Sequence, residues 1–393
     1  MAVEGVIELA LDDEELSTCV ACGLCLPHCP TFRVTGEEGL SPRGRIDAMR
    51  NVQWRGASVD DTFVHFVETC VQCRGCEPAC PSGVPFGRLM EGTRTALAAE
   101  RRTAPRWLRG GLGALGRHRL LLAGSTLLAL AQRLRLVPKR AALAPLPVRR
   151  GPAVTSTGTD VWLYTGCVMD AWMRPTHRAT AALIARMGFT FAVPGREGAC
   201  CGALHTHAGL APRARRLAER VIRSMPGDAP VLVNSAGCGA AMKDYGHLVG
   251  TPEAHAFAAR VRDIHEWLAE HLDRLPLSPS GDGVGPVIVQ DPCHLRHVQR
   301  AHGAVRAVVG HVADVVELDD EGLCCGAGGA YATLQPGLAR EIRDRKVAAI
   351  ERAAERSGAT VVVSANPGCM LHLAGAGLVV RHPIDIVAEV LLP

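Results

Sequence analysis

The residues of this chain best suited to chemistry are its thiols. Sixteen cysteines fall into four groups of four. The first group runs Cys19-x2-Cys22-x2-Cys25-x3-Cys29-Pro30, and the second Cys70-x2-Cys73-x2-Cys76-x3-Cys80-Pro81. The other two follow a different plan: Cys167, the vicinal pair Cys200 and Cys201, and Cys238; then Cys293, the pair Cys324 and Cys325, and Cys369. Thiolates are soft ligands that suit zinc and iron–sulfur clusters. A vicinal pair adds disulfide and nucleophilic chemistry to that menu.

Three thiolates spaced two residues apart can wrap one cubane, and the peptide N–H groups between them can donate to its sulfurs. The spacing is that of the bacterial two-cluster ferredoxin run, in which the fourth cysteine ligates the other cluster. It assigns Cys19, Cys22, Cys25 and Cys80 to one [4Fe-4S] cluster, and Cys70, Cys73, Cys76 and Cys29 to the second. CxxC pairs also bind zinc. A zinc site closes with four ligands, however, and has little use for a third evenly spaced cysteine followed by x3-Cys-Pro. Between the runs, GLSPRGRIDAMR places Arg43 and Arg45 on either side of Gly44, ahead of a helix. The two guanidinium groups either belong to a solvated first turn or lie near a cluster and raise its potential.

The vicinal pairs sit inside a repeat. Each half supplies a cysteine after an apolar run (Gly166-Cys167 in the first, Pro292-Cys293 in the second), a CCG, and a Gly-Cys after another apolar run. The intervening gaps are 32 and 36 residues in the first half, and 30 and 43 in the second. The readings open for Cys200, Cys201, Cys324 and Cys325 are ligation to neighbouring irons of a larger cluster, one ligand beside one reactive thiol, a strained disulfide, or simple burial. The glycine after each pair suits a tight turn or close approach to a bulky group. His205, His207, His294, His297 and His372 lie near these cysteines, and His372 follows Cys369 by a ligand-like three residues.

These thiols need elements to position them. In DDTFVHFVETC, Asp60 or Asp61 caps a helix whose Phe63, Phe66 and Val67 share a face leading to Cys70. Residues 101–159 hold twelve Arg or Lys and no acidic residue. They read as one or two helices, including the apolar stretch from Leu120 to Ala131, and then a Pro-rich linker. That basic stretch is either a solvated connector or a docking surface for anionic lipid or a partner subunit. From Val161 on, short β-branched runs (VWLY, FAV, VLVN, VIVQ, VVEL, TVVV) alternate with helical stretches such as Arg178 to Met187, which Gly188 stops. This predicts βαβ units, a parallel sheet in each half, and cysteine loci gathered at the carboxyl edge, where such sheets bind ligands. The expected fold class is α+β and multidomain: a helical cysteine-rich domain over residues 1–100, a basic helical connector and linker over 101–159, and a duplicated α/β domain over 160–275 and 285–393.

Bulk properties narrow the function classes. The chain has 393 residues and a net charge of +4, too small to imply a nucleic-acid partner. No dinucleotide fingerprint follows a strand. The opening MAVEGVIELALDDEEL is acidic where a secretory signal is basic. The expectation is a cytoplasmic protein, with possible peripheral contact on the inner face of the membrane. In that reducing compartment, sixteen cysteines serve metal or redox chemistry rather than a disulfide framework.

Two CxxCxxCxxxCP runs with PRGRI between them, CPSGV after Cys80, ACCGA, SAGCGAAMKDYG, LCCGAGGAYA and ANPGCMLHLA together resemble the iron–sulfur subunit of glycolate oxidase over essentially the whole chain. Anaerobic glycerol-3-phosphate dehydrogenase iron–sulfur subunits, D-lactate utilisation proteins and heterodisulfide reductase subunits are related. The resemblance implies an N-terminal alpha-helical ferredoxin domain followed by two CCG domains. It implies two [4Fe-4S] clusters, flavoprotein partner subunits that alone carry FAD, and electrons passed from glycolate or another 2-hydroxy acid toward a membrane quinone. The isolated chain is then expected to be inactive. In heterodisulfide reductase each CCG half ends in CxxC and binds a non-cubane cluster. Here Ala241 and His372 stand at those last positions, leaving each half one thiol fewer. Two other readings compete: an autonomous reductase acting on a disulfide or quinone at Cys167, Cys200, Cys201, Cys238, Cys293, Cys324, Cys325 and Cys369, and a zinc-organised scaffold.

Overall fold

A computed structural model describes residues 7–137, 145–276, 284–320 and 322–392. The start of the acidic N-terminal stretch and residues 138–144 of the connector lie outside the described residues. The N-terminal region is helical, and local sequence sets its helix starts. Asp12 caps Asp13–Ser17 by accepting from the N–H groups of Glu14 and Glu15, at 2.9 and 3.0 Å. Ser41 caps Pro42–Arg55 through the Gly44 N–H at 3.0 Å, with Pro42 at the first helical position. Asp60, rather than Asp61, caps Asp61–Glu68 through the Phe63 N–H at 2.8 Å. Leu16, Met49, Val67, Leu89, Met90 and Leu97 close a small core beneath the cysteine loops. The basic stretch forms the helices Arg106–Leu115 and His118–Arg133.

Two α/β halves follow. The first has strands β1 (Val161–Tyr164), β2 (Phe191–Ala192), β3 (Val231–Val233) and β4 (Val261–Asp263). The second has β5 (Pro286–Val289), β6 (Asp314–Val316), β7 (Val361–Val363) and β8 (Val380–Arg381). Every pairing is parallel, and the orders β2-β1-β3-β4 and β6-β5-β7-β8 are the same topology used twice. The six apolar runs read from the sequence are strands. β4 and β8 are not anticipated, because VRD and VR are too short to show a period.

The topology brings the thiols together. In each half the three strands that lead to cysteines are neighbours, so their carboxyl ends open side by side. The halves do not stand apart. Leu163, Ile184, Leu232, Ile264 and Trp267 of the first share one continuous core with Val287, Val305, Val309, Ile384 and Val387 of the second. Helix Arg174–Arg186 packs against Pro383–Leu391, and Ile264–Ala269 against His302–Val309. A backbone bond from Ala236 N–H to the Ala365 carbonyl, 3.0 Å, stitches the halves at their cysteine edges. The longest helix, Pro336–Ser357, contacts Pro30–Thr35 and so holds the second half to the cysteine-rich helical region.

Candidate functional site

The two N-terminal cysteine loops share one backbone path. Ala21 and Gln72, at matching positions, lie in the left-handed region with φ of 56° and 58°. The next matching pair, Gly23 and Arg74, has φ of 85° and 59°. Left-handed non-glycine residues are costly and persist only where their surroundings impose them. Here they curl each loop around a small cavity. One cavity is lined by Cys19, Cys22, Cys25 and Cys80, the other by Cys29, Cys70, Cys73 and Cys76. Each has a volume of about 20 Å³. The fourth thiol of each loop thus crosses to the other ring. Among the described residues no three His, Cys, Asp or Glu side chains converge as they would on a single metal ion. Four thiols around a space are a donor set that fits a multi-iron core.

The two rings differ in exposure. Cys22 is exposed, whereas Cys29, Cys70 and Cys76 are buried. Burial pushes the Cys76 thiol well above its ordinary range, and the neighbouring Cys73, Cys29 and Cys70 add to the push. Arginines line both rings, and one of them, Arg74 of the Cys29 ring, is paired with Glu77 at 2.8 Å. Arg43 lines the Cys19 ring, donates to the Ala21 carbonyl at 3.0 Å and pairs with Glu38 at 2.7 Å. Arg45 lines the Cys29 ring and is fully buried. Gly44 separates them because a Cβ there would lie 2.0 Å from the Glu38 carbonyl oxygen.

The eight remaining thiols line a single cavity of about 330 Å³. Its walls come from both α/β halves, from Val71 and Gln72 of the second cysteine loop, and from Leu115 of the connector. All sixteen cysteines carry free thiols. In the first half the thiols hydrogen-bond as two pairs, Cys167 with Cys200 and Cys201 with Cys238. In the second they form a chain in which Cys324 meets Cys293 and Cys325, and Cys325 meets Cys369. Cys324 also interacts with Cys73, and the two pack in one cluster, so a thiol of the buried ring lies against the eight-thiol cavity. The hydrogen bond from Cys167, aided by His205, pulls Cys200 down to about 5 against the effect of burial. Tight glycine turns support both CCG loops: Gly202 and Gly326 have φ of 85°, and the Gly326 N–H donates to Cys324 Sγ at 3.3 Å.

The histidines separate by position. His205 is buried against Cys200. His207 and His294, one from each half, line the cavity and stack with centroids 5.3 Å apart. Burial pushes both toward the neutral form. His297 is turned to the Gly322 carbonyl at 3.3 Å, and burial lowers it to about 4. His372 is turned to the Ala339 carbonyl at 3.2 Å, and neither of these two lines the cavity.

Four further residues organise the site without having stood out in the sequence. Gln72 bonds both His207 and His294. Asn366 accepts from the Gly237 N–H (3.2 Å) and Ser235 hydroxyl (3.3 Å) of the first half, and donates to Cys369 Sγ (3.5 Å) in the second. Arg94 donates to carbonyls of Val67, Cys70 and His207. Tyr331 is buried at the junction, where burial raises its phenol well above the ordinary tyrosine range. Of these, only Gln72 carried a signal, as a polar residue inside a cysteine loop.

Comparison with known proteins agrees with this layout. The family described as "4Fe-4S dicluster domain" matches residues 15–84, and "Cysteine-rich domain" matches 161–243 and 287–374. The chain is 32% identical to the glycolate oxidase iron–sulfur subunit of Escherichia coli (strain K12), covering 96% of this chain and 95% of that one. It is 32% identical to the protein named "Probable glycolate oxidase iron-sulfur subunit" of Bacillus subtilis (strain 168), covering 92% and 89%. It is 27% identical to one of the subunits of the dihydromethanophenazine:CoB–CoM heterodisulfide reductase of Methanosarcina barkeri, covering 96% and 94%.

Proposed function

This chain belongs to the family of glycolate oxidase iron–sulfur subunits, and we propose that it carries electrons from a flavoprotein subunit, which oxidises glycolate or another 2-hydroxy acid, toward a quinone. The observation that carries this reading is the unbroken line of thiol sites. A surface ring with exposed Cys22 lies beside a buried ring, and Cys73 of the buried ring meets Cys324 in the eight-thiol cavity.

In this reading Cys19, Cys22, Cys25 and Cys80 hold one [4Fe-4S] cluster, and Cys29, Cys70, Cys73 and Cys76 hold the other. Clusters so held supply one-electron exchange, and the bond chemistry on the hydroxy acid belongs to the flavin of the partner. The chain's own residues fix the ligands, keep water from the inner ring and set the local charge. The eight CCG thiols form a further redox site at the end of the line. Our division of the chain is 1–100, 101–159, 160–275 and 285–393. Among the described residues no helix is long and apolar enough to cross a membrane. Contact with a quinone-bearing membrane from the cytoplasmic side would run through the basic helices, where Trp107, Leu120, Leu127 and Leu134 are exposed.

The test is reconstitution under anaerobic conditions. The chain with its clusters should show no glycolate turnover alone, and should pass electrons to a quinone analogue only when the flavoprotein is added. Turnover of glycolate by the chain without flavin would defeat the reading. A second reading, an autonomous reductase at the CCG site, is favoured by one observation: the Cys200 thiol held at about 5 within a cavity of about 330 Å³. Reduction of a disulfide or quinone by the chain alone, abolished by Cys200→Ser or Cys324→Ser with the ferredoxin-type clusters intact, would establish it instead.

A further inference from the structure

Arg45 is a buried cation whose partners are all neutral. It is 1% exposed. Its Nε donates to the Phe66 carbonyl at 2.6 Å, and its Nη1 to the Leu40 carbonyl at 2.5 Å and Thr31 Oγ1 at 3.4 Å. Its Nη2 donates to Thr31 Oγ1 and Thr69 Oγ1, both at 3.3 Å. The remaining contact is Cys29 Sγ, 3.9 Å from Nη1. A buried charge without a counter-ion is strongly disfavoured. What the fold places against this guanidinium is the thiol ring of Cys29, Cys70, Cys73 and Cys76, which would be anionic once it holds a cluster. Arg94 repeats the pattern on the far side of Cys70, with its guanidinium bonded to the carbonyls of Cys70 (2.7 Å), Val67 (2.9 Å) and His207 (2.7 Å). Glu68 and Glu91, the acidic residues that feel the Arg94 charge, are both pushed up by burial, and Glu68 offers Arg94 only its backbone carbonyl, at 3.4 Å.

The other ring has no such charge. Arg43 is about one-third exposed (32%), and Glu38 takes up its guanidinium through both carboxylate oxygens, at 2.7 and 3.3 Å. The cation beside the Cys19 ring is therefore matched and hydrated, while Arg45 and Arg94 on the Cys29 side are neither; Arg74, which also lines the Cys29 ring, is matched by Glu77 at 2.8 Å. Reduction of a cluster by one electron adds one negative charge and moves no proton. A fixed, dry cation stabilises that added charge far more than a solvated, paired one does.

We infer that Arg45 sets the redox poise of the centre held by Cys29, Cys70, Cys73 and Cys76, keeping it more positive than the centre held by Cys19, Cys22, Cys25 and Cys80. This rests on the ligand sets proposed above. It orders the line of sites. Electrons from a reduced flavin enter at the exposed ring, where Val20 and Leu24 flank Cys22 at the surface. They then run downhill to the buried ring and the Cys73–Cys324 contact.

The experiment is an EPR-monitored redox titration of the full chain with its clusters, poised with dithionite and mediators. Wild type should show two midpoints, with the signal perturbed by Cys22→Ser being the more negative. Arg45→Met should shift the more positive midpoint downward by at least a tenfold change in the oxidised-to-reduced ratio, about 59 mV for one electron, and leave the other in place. Arg45→Lys, which keeps the charge, should restore most of the shift, and Arg43→Met should change either ratio less than about threefold by the same conversion. Unmoved midpoints in an iron-replete Arg45→Met, or a Cys22-linked signal that is the more positive in wild type, would overturn the inference. If Arg45→Met fails to load iron, the Lys variant and the wild-type ordering decide. The ligand sets fail separately: Cys29→Ser would then perturb the same signal as Cys22→Ser.

Discussion

His207 and His294 stack with ring centroids 5.3 Å apart and 26° between their planes, one histidine from each α/β half. Gln72 holds both. Its Nε2 donates to the His207 carbonyl at 2.9 Å, its Oε1 accepts from His207 Nδ1 at 2.9 Å, and its carbonyl accepts from His294 Nε2 at 3.0 Å. One residue of a cysteine loop, through its side chain to His207 and its backbone carbonyl to His294, thus ties all three units together at the wall of the eight-thiol cavity. Gln72→Ala removes the two side-chain bonds and leaves buried partners unpaired. It should cost about 1–3 kcal/mol, with iron content unchanged. Denaturant unfolding measures the cost, and faster amide exchange around His207 should accompany it.

Gly44 is required by space rather than by its torsion. A Cβ there would lie 2.0 Å from the Glu38 carbonyl oxygen and 3.2 Å from Ser41 Oγ, the helix cap. Gly44→Ala must displace either the Glu38 backbone or the helix start that carries both arginines. The expected result is about 3 kcal/mol of destabilisation and loss of iron from both centres, read by unfolding and by iron analysis. A fully loaded, equally stable variant would contradict the geometry.

The crossed rings predict paired phenotypes. Cys80→Ser and Cys22→Ser should disturb one EPR signal, and Cys29→Ser and Cys73→Ser the other. Each should remove about four of about eight ferredoxin-type irons. Sequence neighbours such as Cys76 and Cys80 should fall in different classes.

Asp170 joins the basic connector to the first α/β half by accepting from His118 at 3.0 Å and Arg174 at 2.9 Å. Burial pushes its carboxyl up, but the His118 and Arg174 hydrogen bonds outweigh it and hold the group at about 2. The folded value lies below the ordinary 3.8, so the stabilisation is present above about pH 4 and is lost as pH falls through 2. Asp170→Asn should cost about 2 kcal/mol at neutral pH and flatten the stability curve between pH 4 and 2, as followed by urea unfolding.

Much of the architecture is legible in the residues because it rests on local signals. The runs that become β1, β3, β5 and β7 are short, apolar and β-branched. Parallel pairing then obliges Cys167, Cys238, Cys293 and Cys369 to emerge on common edges. The crossing of Cys29 and Cys80 follows from spacing alone. What the residues conceal depends on distant packing. PRGR reads equally well as a wet first turn, and only the approach of Leu40, Phe66 and Thr69 buries Arg45 while leaving Arg43 to Glu38. The single cavity arises because the two halves share one core, a relation that no repeat within a half displays. Asn366 is invisible for the same reason: its partners lie 129 and 131 residues earlier in the chain.

The two kinds of thiol site also differ in how much polypeptide each needs. The thiols of both four-cysteine rings lie within residues 19–80 and the core beneath them ends at Leu97, so both can take shape while the remainder is still being synthesised. The eight-thiol chamber draws its walls from Val71 through Leu371, and its halves meet over a core that includes Ile384 and Val387. Maturation therefore has an order: iron can be captured early at the rings, whereas the chamber comes into being only after nearly the entire chain has folded.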